Sequence, residues 1–328
     1  MSETPRVSIG LPVYNGERFL REALDSLVGQ TFGDFELIIS DNGSTDGTQE
    51  ICRAYAAKDR RIRYYRQDQN HGGAWNHNRV FELSKGEYFK WASHDDVCDP
   101  ALLSRCVEVL DADPSVVLCY SKVRIIDEHG RVENYAVELA TDSPNPQERF
   151  RDLMLIPHRC FQIYGLIRSR DLKMTPLFAA CSAADRPLLA RLGLAGRFHE
   201  VPEYLFVSRW HSRNSMRATR SAQVRIAWWD PAMAGKITFP FWRIFREYFL
   251  AIRDAQLTRQ ERMRCYLYLL RWPLVRGQNR HWLTAHWVEL GKDLVKALIW
   301  PAYIAYASRT SDGSSSRTEP AVQGRRYQ

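Results

Sequence analysis

Three polar clusters gather side chains capable of chemistry: Pro12-Val13-Tyr14-Asn15-Gly16, Asp41-Asn42-Gly43-Ser44-Thr45-Asp46 and Ser93-His94-Asp95-Asp96. The last carries the sharpest signal. Two adjacent carboxylates repel, and holding them together points either to a divalent cation or to a raised pKa. Mg²⁺ and Mn²⁺ take oxygen ligands, often one or two carboxylates plus substrate phosphates. Asp95 and Asp96 are therefore the candidate clamp if the chain handles a diphosphate. Neither G-x-G-x-x-G nor G-x-x-x-x-G-K-[ST] occurs, so a dinucleotide fingerprint or phosphate loop is unsupported. Plain turn capping is the simpler account of such clusters. It suits Asp46, which stands at a helix start in Ser44-Thr45-Asp46-Gly47.

The elements that must position these clusters are legible around them. Val7–Leu11, Phe35–Ser40, Ile62–Arg66, Glu87–Trp91 and Val116–Tyr120 read as strands. Glu17–Gln30 puts Phe19, Leu20, Ala23, Leu24, Leu27 and Val28 on one helical face, with Gly29 near its end. A second helix runs to about Lys58, and a third lies between the Ile62 and Glu87 strands. Asp99-Pro100 offers a carboxylate N-cap and a Pro at N1 for a fourth, which stops before Asp113-Pro114. Strands alternating with helices predict an α/β fold with a mostly parallel sheet flanked by helices. Such sheets bind ligands beyond the carboxyl ends of their strands, where all three clusters lie and would converge on one crevice.

The chain has 328 residues, enough for two domains or one with an appendage, and ordinary globular proportions of apolar (45%) and charged (26%) residues exclude a mainly disordered chain. Met1–Arg6 lacks the apolar segment of a secretory signal. The longest apolar run, the eleven residues Ala297–Ala307, falls short of a membrane span. Seven scattered Cys without C-x-x-C fit a reduced compartment, so a cytoplasmic location is expected. The net charge of +8 divides unevenly: residues 1–200 hold 25 basic and 29 acidic side chains, residues 201–328 hold 21 and 9. Eight of the ten Trp lie at or beyond Trp210. Phe241–Ile252 sets Phe241, Phe245, Tyr248, Phe249 and Ile252 on one face. Leu283, Trp287, Leu290, Leu294 and Leu298 form a second stripe, ended or kinked by Pro301. Residues 308–328 are Ser/Arg-rich and read as a disordered tail.

The stretches VSIGLPVYNGERFLREALDSLVGQTFGDFELIISDNGSTDGT and NHGGAWNHNRVFELSKGEYFKWASHDD resemble the opening of family 2 glycosyltransferases, in order and spacing. The resemblance spans roughly residues 5–215 and implies the GT-A fold. The expected organisation is a catalytic domain over 1–222, with a nucleotide-binding half of about 1–121 and an acceptor half of about 122–222. An amphipathic helical extension over 223–307 and the tail follow. By this resemblance Pro12, Tyr14, Asn15 and Asp41 hold the base and ribose of a nucleotide-diphosphate sugar, and His94 meets the ribose or phosphate, or caps its turn. Ser93 replaces the first Asp of the family's Asp-x-Asp-Asp form, which leaves Asp95 at the metal position and Asp96 second. Gln162-Ile163-Tyr164-Gly165-Leu166 resembles the glycine loop at the donor sugar. Asp185 matches the catalytic base, with Ala184 where an acidic residue is usual; it also suits an N-cap of the helix Arg186–Leu192. His211 corresponds to a His that completes the metal shell.

The reaction so implied is a single in-line displacement with inversion. Asp185 takes the acceptor hydroxyl's proton, a Mn²⁺ or Mg²⁺ cofactor neutralises the leaving diphosphate, and the setting is polysaccharide or glycoconjugate assembly on a glycan or lipid-linked acceptor. A nucleotidyltransferase is the alternative from another class, but it calls for a basic or Gly-rich triphosphate loop, and Pro12–Gly16 has no Lys or Arg before Arg18. A catalytically inactive nucleotide-sugar binder is a third reading, opposed by retention of Asp95 and Asp185. For residues 223–307 the readings are packing on the core or docking on an anionic membrane surface. In the second case the protein is peripheral on the inner face. Nucleic acid ranks last, since no recognised binding module is present.

Overall fold

The structure is a computed structural model that describes residues 4–179, 181, 183–211, 222–234, 236 and 239–274. The Leu283–Leu298 stripe, Pro301 and the 308–328 tail lie outside the described residues. The first half comprises β1 (Val7–Val13), α1 (Glu17–Val28), β2 (Phe35–Asp41), α2 (Thr48–Lys58), β3 (Ile62–Arg66), α3 (Gly73–Glu82), β4 (Tyr88–Trp91), β5 (Val97–Cys98) and α4 (Leu102–Ala112). The second comprises β6 (Val116–Asp127), β7 (Val132–Tyr135), α5 (Pro146–Leu155), β8 (Leu166–Arg168), α6 (Ser169–Lys173), α7 (Asp185–Ala195) and β9 (Arg197–Trp210). Three more helices follow: α8 (Ala222–Trp229), α9 (Pro240–Asp254) and α10 (Arg259–Arg271).

Among the described residues one sheet of nine strands runs β3-β2-β1-β4-β8-β6-β9-β5, with β7 paired to β6. The expected parallel order holds through β3-β2-β1-β4. Every residue of β1 and β2 is buried, which is why both read as unbroken apolar runs rather than alternation. The sheet beyond β4 is mixed: β8 is antiparallel to β4 and to β6, β9 is parallel to β6, and β5 and β7 are antiparallel to their partners. Side chains alternate across the sheet. Ile38, Phe89, Leu118 and Ile167 enter one apolar layer, while Leu37, Ile39, Tyr88, Cys119 and Leu166 enter the other.

The first of those layers also contains the C-terminal helices. Tyr248, Ala251 and Ile252 of α9 and Cys265 and Leu269 of α10 join Phe150, Leu153 and Leu189 in one cluster. The Tyr248 ring meets Phe150 edge-on at 6.0 Å and Trp272 at 5.7 Å. Helix α10 is absent from the expectations above, yet Thr258-Arg259-Gln260-Glu261 is a capping box: Thr258 Oγ1 accepts the Glu261 N–H while the Glu261 carboxylate accepts the Thr258 N–H. Further forward, Asp99 accepts the Ala101 N–H at 2.9 Å, and Gln30 Oε1 accepts that of Leu103 at 3.0 Å. Helix α4 therefore begins two residues later than Pro at N1 predicts. Among the described residues no helix is long and apolar enough to cross a membrane.

Two histidines sit in this core uncharged. Burial pushes His77 and His158 down to about 4, and each ring keeps a backbone carbonyl partner at 2.8 Å. Between the ordinary value of 6.5 and 4 the unfolded chain binds protons that the native state does not. Stability therefore falls as pH drops through that window. A melting temperature clearly lower at pH 4.5 than at pH 7 is expected, with a smaller drop in His77→Phe; equal drops would remove His77 as a contributor.

Candidate active site

The turns after β1 and β2 are built against each other. Asn15 takes a left-handed conformation (φ 51°), which Asn tolerates better than most residues. Its N–H donates to Ser44 Oγ at 2.9 Å, and its Oδ1 accepts the Thr45 N–H at 2.9 Å. Asp46 accepts from Thr48 N and Glu17 N, so it serves two helix starts, as its capping role requires. A side-chain carbon on Gly16 would lie 2.8 Å from His94 Cδ2, which places the β4 turn directly against the β1 turn. Tyr14 and Asn15 reach the surface and His94 is half-buried, whereas Pro12 is buried. Asp41 is 0% exposed: Oδ1 accepts the Ser44 N–H and Oδ2 the Tyr64 hydroxyl, both at 2.8 Å. Its carboxylate shapes the turn from below. Asn42 links that turn to the next loop, donating to Asn70 Oδ1 at 2.8 Å and accepting from His71 N at 3.0 Å.

At the end of β4 the two carboxylates part. Burial would raise Asp95, but hydrogen bonds from His211 and Ser93 and the charge of His94 outweigh it and hold the carboxyl below its ordinary range. His211 Nε2 lies 3.0 Å from Asp95 Oδ2. Asp96 turns the other way, onto β9, where its Oδ1 accepts the Arg209 N–H at 2.8 Å. Burial first, then the neighbouring Asp95 charge, push Asp96 well up. One carboxylate is thus ionised and its neighbour biased towards the proton. Among the described residues, the other His211 nitrogen, Nδ1, is buried without a hydrogen-bond partner. Among the described residues no group of three or more His, Cys, Asp or Glu could hold a metal by itself.

Sequence reasoning passed over the groups that support this pair. Lys90 is 1% exposed, donates to the Tyr164 carbonyl and opposes the rise of Asp96 by its charge. A lysine inside the apolar run YFKW was the available signal. Arg209 donates to the Asp95 carbonyl at 3.1 Å and pairs with Glu22 at 2.7 Å. Tyr164 is the common neighbour: the charges of Asp96, Asp95 and Asp185, after burial itself, all raise its phenol. Its ring stacks on Phe206 at 5.5 Å.

Asp185 is the first residue of α7, with Ala184 at the N-cap, and its Oδ1 accepts the Arg186 N–H at 3.0 Å. Burial raises its carboxyl, opposed by Arg186 and by the Cys160 thiol. Cys160 and Ala183, which flank it in space and sequence, both have left-handed backbones (φ 56° and 60°). Such strain persists only where the surroundings impose it. Gly165 has a reason other than ligand approach. A side-chain carbon there would lie 2.5 Å from the Cys119 carbonyl oxygen, so the glycine lets β8 enter against β6. Gly72 and Gly73 are likewise covered, by Pro231 and Trp229 of the C-terminal part.

The family model described as Glycosyl transferase family 2 matches residues 8–171, half of the chain. The chain belongs to that family. An uncharacterized glycosyltransferase of Rickettsia felis is 29% identical over 235 residues, 68% of this chain and 38% of its own length. The chain thus spans well under half of that relative. Among solved structures, S. aureus TarS 1–349 in complex with UDP-GlcNAc is similar at TM-score 0.59 and 18% identity, covering 84% of this chain and 74% of TarS 1–349. Mannosyltransferase PcManGT from Pyrobaculum calidifontis, in complex with GDP-Man and Mn²⁺, is similar at TM-score 0.52 and 18% identity, covering 94% and 81%. These likenesses establish the GT-A arrangement of this family 2 glycosyltransferase. The matched residues end before Asp185 and His211, so the family match does not reach them.

Because Gly165 meets backbone, Gly165→Ala is expected to destabilise the protein alone by roughly 1–3 kcal/mol of overpacking, read as a lower melting temperature. A variant as stable as the parent but impaired only in ligand binding would restore the ligand-approach reading.

Proposed function

We propose that this glycosyltransferase moves a sugar from a nucleoside-diphosphate donor to an acceptor hydroxyl with inversion, using Asp185 as the base. The observation that carries the reading is the divided carboxylate pair in the turn after β4, with Asp95 3.0 Å from His211 and Asp96 accepting the Arg209 N–H at 2.8 Å, beside the β1 turn against which His94 packs. A carboxylate at its ordinary pKa is a weak base for an alcohol. The upward push from burial makes Asp185 a better one. Tyr14, Asn15 and His94 are the groups placed to meet the nucleotide at the surface, above the Pro12 and Asp41 scaffold. The complexes of TarS 1–349 with UDP-GlcNAc and of PcManGT with GDP-Man support a nucleotide-sugar donor here.

A divalent ion fits the residues present. Asp95 is an ionised carboxylate whose Oδ2 lies 3.0 Å from His211 Nε2, so both atoms could face one ion. Two protein ligands completed by donor phosphates are what Mn²⁺ or Mg²⁺ commonly accept. Asp95 and His211 would hold it, with Asp96 turned away to the Arg209 N–H of β9; bound there, the ion would stabilise the leaving diphosphate. The acceptor is a glycan or lipid-linked sugar in polysaccharide or glycoconjugate assembly, and contact with an anionic membrane through residues 223–307 belongs to the same reading.

Asp185→Asn is expected to reduce transfer by roughly 10²–10⁴-fold while donor binding, read by thermal shift, survives. Turnover like the parent's would remove Asp185 as the base. Asp95→Ala is expected to weaken donor binding and abolish any Mn²⁺ dependence of it; donor affinity equal to the parent's with and without Mn²⁺ would sink the metal assignment.

A further inference from the structure

The inner faces of α9 and α10 pack on the layer that contains α7, but their outer faces carry apolar side chains too. On α10, Met263, Leu267 and Leu270 are 61%, 51% and 64% exposed. Their i, i+4, i+7 spacing puts them on one stripe, opposite the buried Cys265 and Leu269. On α9, Trp242 and Phe249 are 41% and 43% exposed, in line with exposed Arg246 and Arg253 at the same helical spacing. The Phe249 and Tyr266 rings lie 5.4 Å apart, so the stripes form one continuous surface. Large apolar side chains grouped in this way mark an interaction site rather than the scattered exposure normal for a surface.

Charge indicates what the surface meets. Residues 240–271 contain seven Arg and three carboxylates. All three carboxylates are engaged within the fold: Glu247 with Arg246 at 3.1 Å, Asp254 with Arg253 at 2.7 Å, and Glu261 in the Thr258 cap. Arg262 turns inward to the carbonyls at the end of α9. Arg259, Arg264 and Arg271 remain exposed beside the Met263–Leu270 stripe. Apolar side chains rimmed by arginine, with the acids tied up, suit a bilayer interface with anionic headgroups.

We propose that the outer face of α9 and α10, centred on Phe249, Met263, Leu267 and Leu270, docks on an anionic lipid bilayer. This rests on the membrane-contact part of the function above and assigns it to a defined surface. Residues 275–328 of the same chain and a second copy are the competing occupants, and the test separates them.

The full-length protein is sedimented with vesicles of phosphatidylcholine alone or mixed with phosphatidylglycerol, at low and high salt. Binding to the mixed vesicles is expected, weakened by salt and much reduced on neutral ones. Arg264→Gln with Arg271→Gln should lower partition about thirtyfold, from about fivefold per arginine at an anionic surface. Leu267→Glu with Leu270→Glu should abolish it, while thermal shift by a nucleotide sugar stays as in the parent. That last readout belongs to the donor site, so a failed membrane result and a failed transferase reading are distinguishable. No partition, or partition equal in all variants, overturns the proposal. So does a dimer of the parent that the Leu267→Glu, Leu270→Glu variant dissociates, which would make a second copy the occupant. Protection of Met263 from oxidation in the lipid-free protein overturns it as well, since the chain's own residues 275–328 would then cover the face.

Discussion

Two neighbouring carboxylates must be kept at the end of a buried strand, and much of the surrounding structure is arranged so that they can be. In a low-dielectric interior, adjacent like charges cannot both persist without partners. The chain resolves this by turning Asp96 onto β9 and leaving Asp95 to His211 and Ser93. That division requires β9 to arrive in register beside β5, Lys90 to lie within β4, and Arg209 to span both acids. The mixed half of the sheet is therefore more than a support. It brings from about 110 residues downstream the groups that separate the states of two consecutive side chains.

Strain is concentrated around the same crevice. The described non-glycine residues with left-handed backbones are Asn15, Cys160, Leu177 and Ala183. Asn15 joins two strand-end turns, Cys160 meets Asp185 through its thiol, and Leu177 and Ala183 lie in the segment between α6 and α7, whose first residue is Asp185. Each such residue needs external reinforcement. The reinforcement here is specific: Ser44 and Thr45 hold Asn15, and Arg186, bonded to the His158 carbonyl at 2.6 Å, ties the Cys160 segment to α7.

What the sequence made legible follows a physical divide. The parallel strands and their helices announce themselves because burial on both faces writes continuous apolar runs and amphipathic stripes between them. The clusters at their ends could be placed for the same reason. The roles within those clusters were less accessible. Asp41 and Asp95 are both strand-end aspartates, but a tyrosine hydroxyl 23 residues on occupies the first, and a histidine 116 residues on meets the second. Gly165 cannot be assigned from sequence because a close approach has the same signature whether the neighbour is a sugar or the Cys119 carbonyl. Short β5 and β8 have too few residues for any periodicity. Helix α10 was marked by its capping box rather than by apolar spacing, since its stripe of exposed Met and Leu blurs inside and outside.

The covering of Gly72 and Gly73 by Pro231 and Trp229 has a consequence for how the molecule can vary. The loop that opens α3 is shaped to a surface contributed some 150 residues later, and α9 and α10 complete the apolar layer on which α5 and α7 rest. The segment beyond β9 is thus not an interchangeable module. A relative's tail grafted after residue 222 would have to reproduce an indole and a pyrrolidine over two particular glycines. Divergence at either end of the chain is therefore coupled to compensating change at the other.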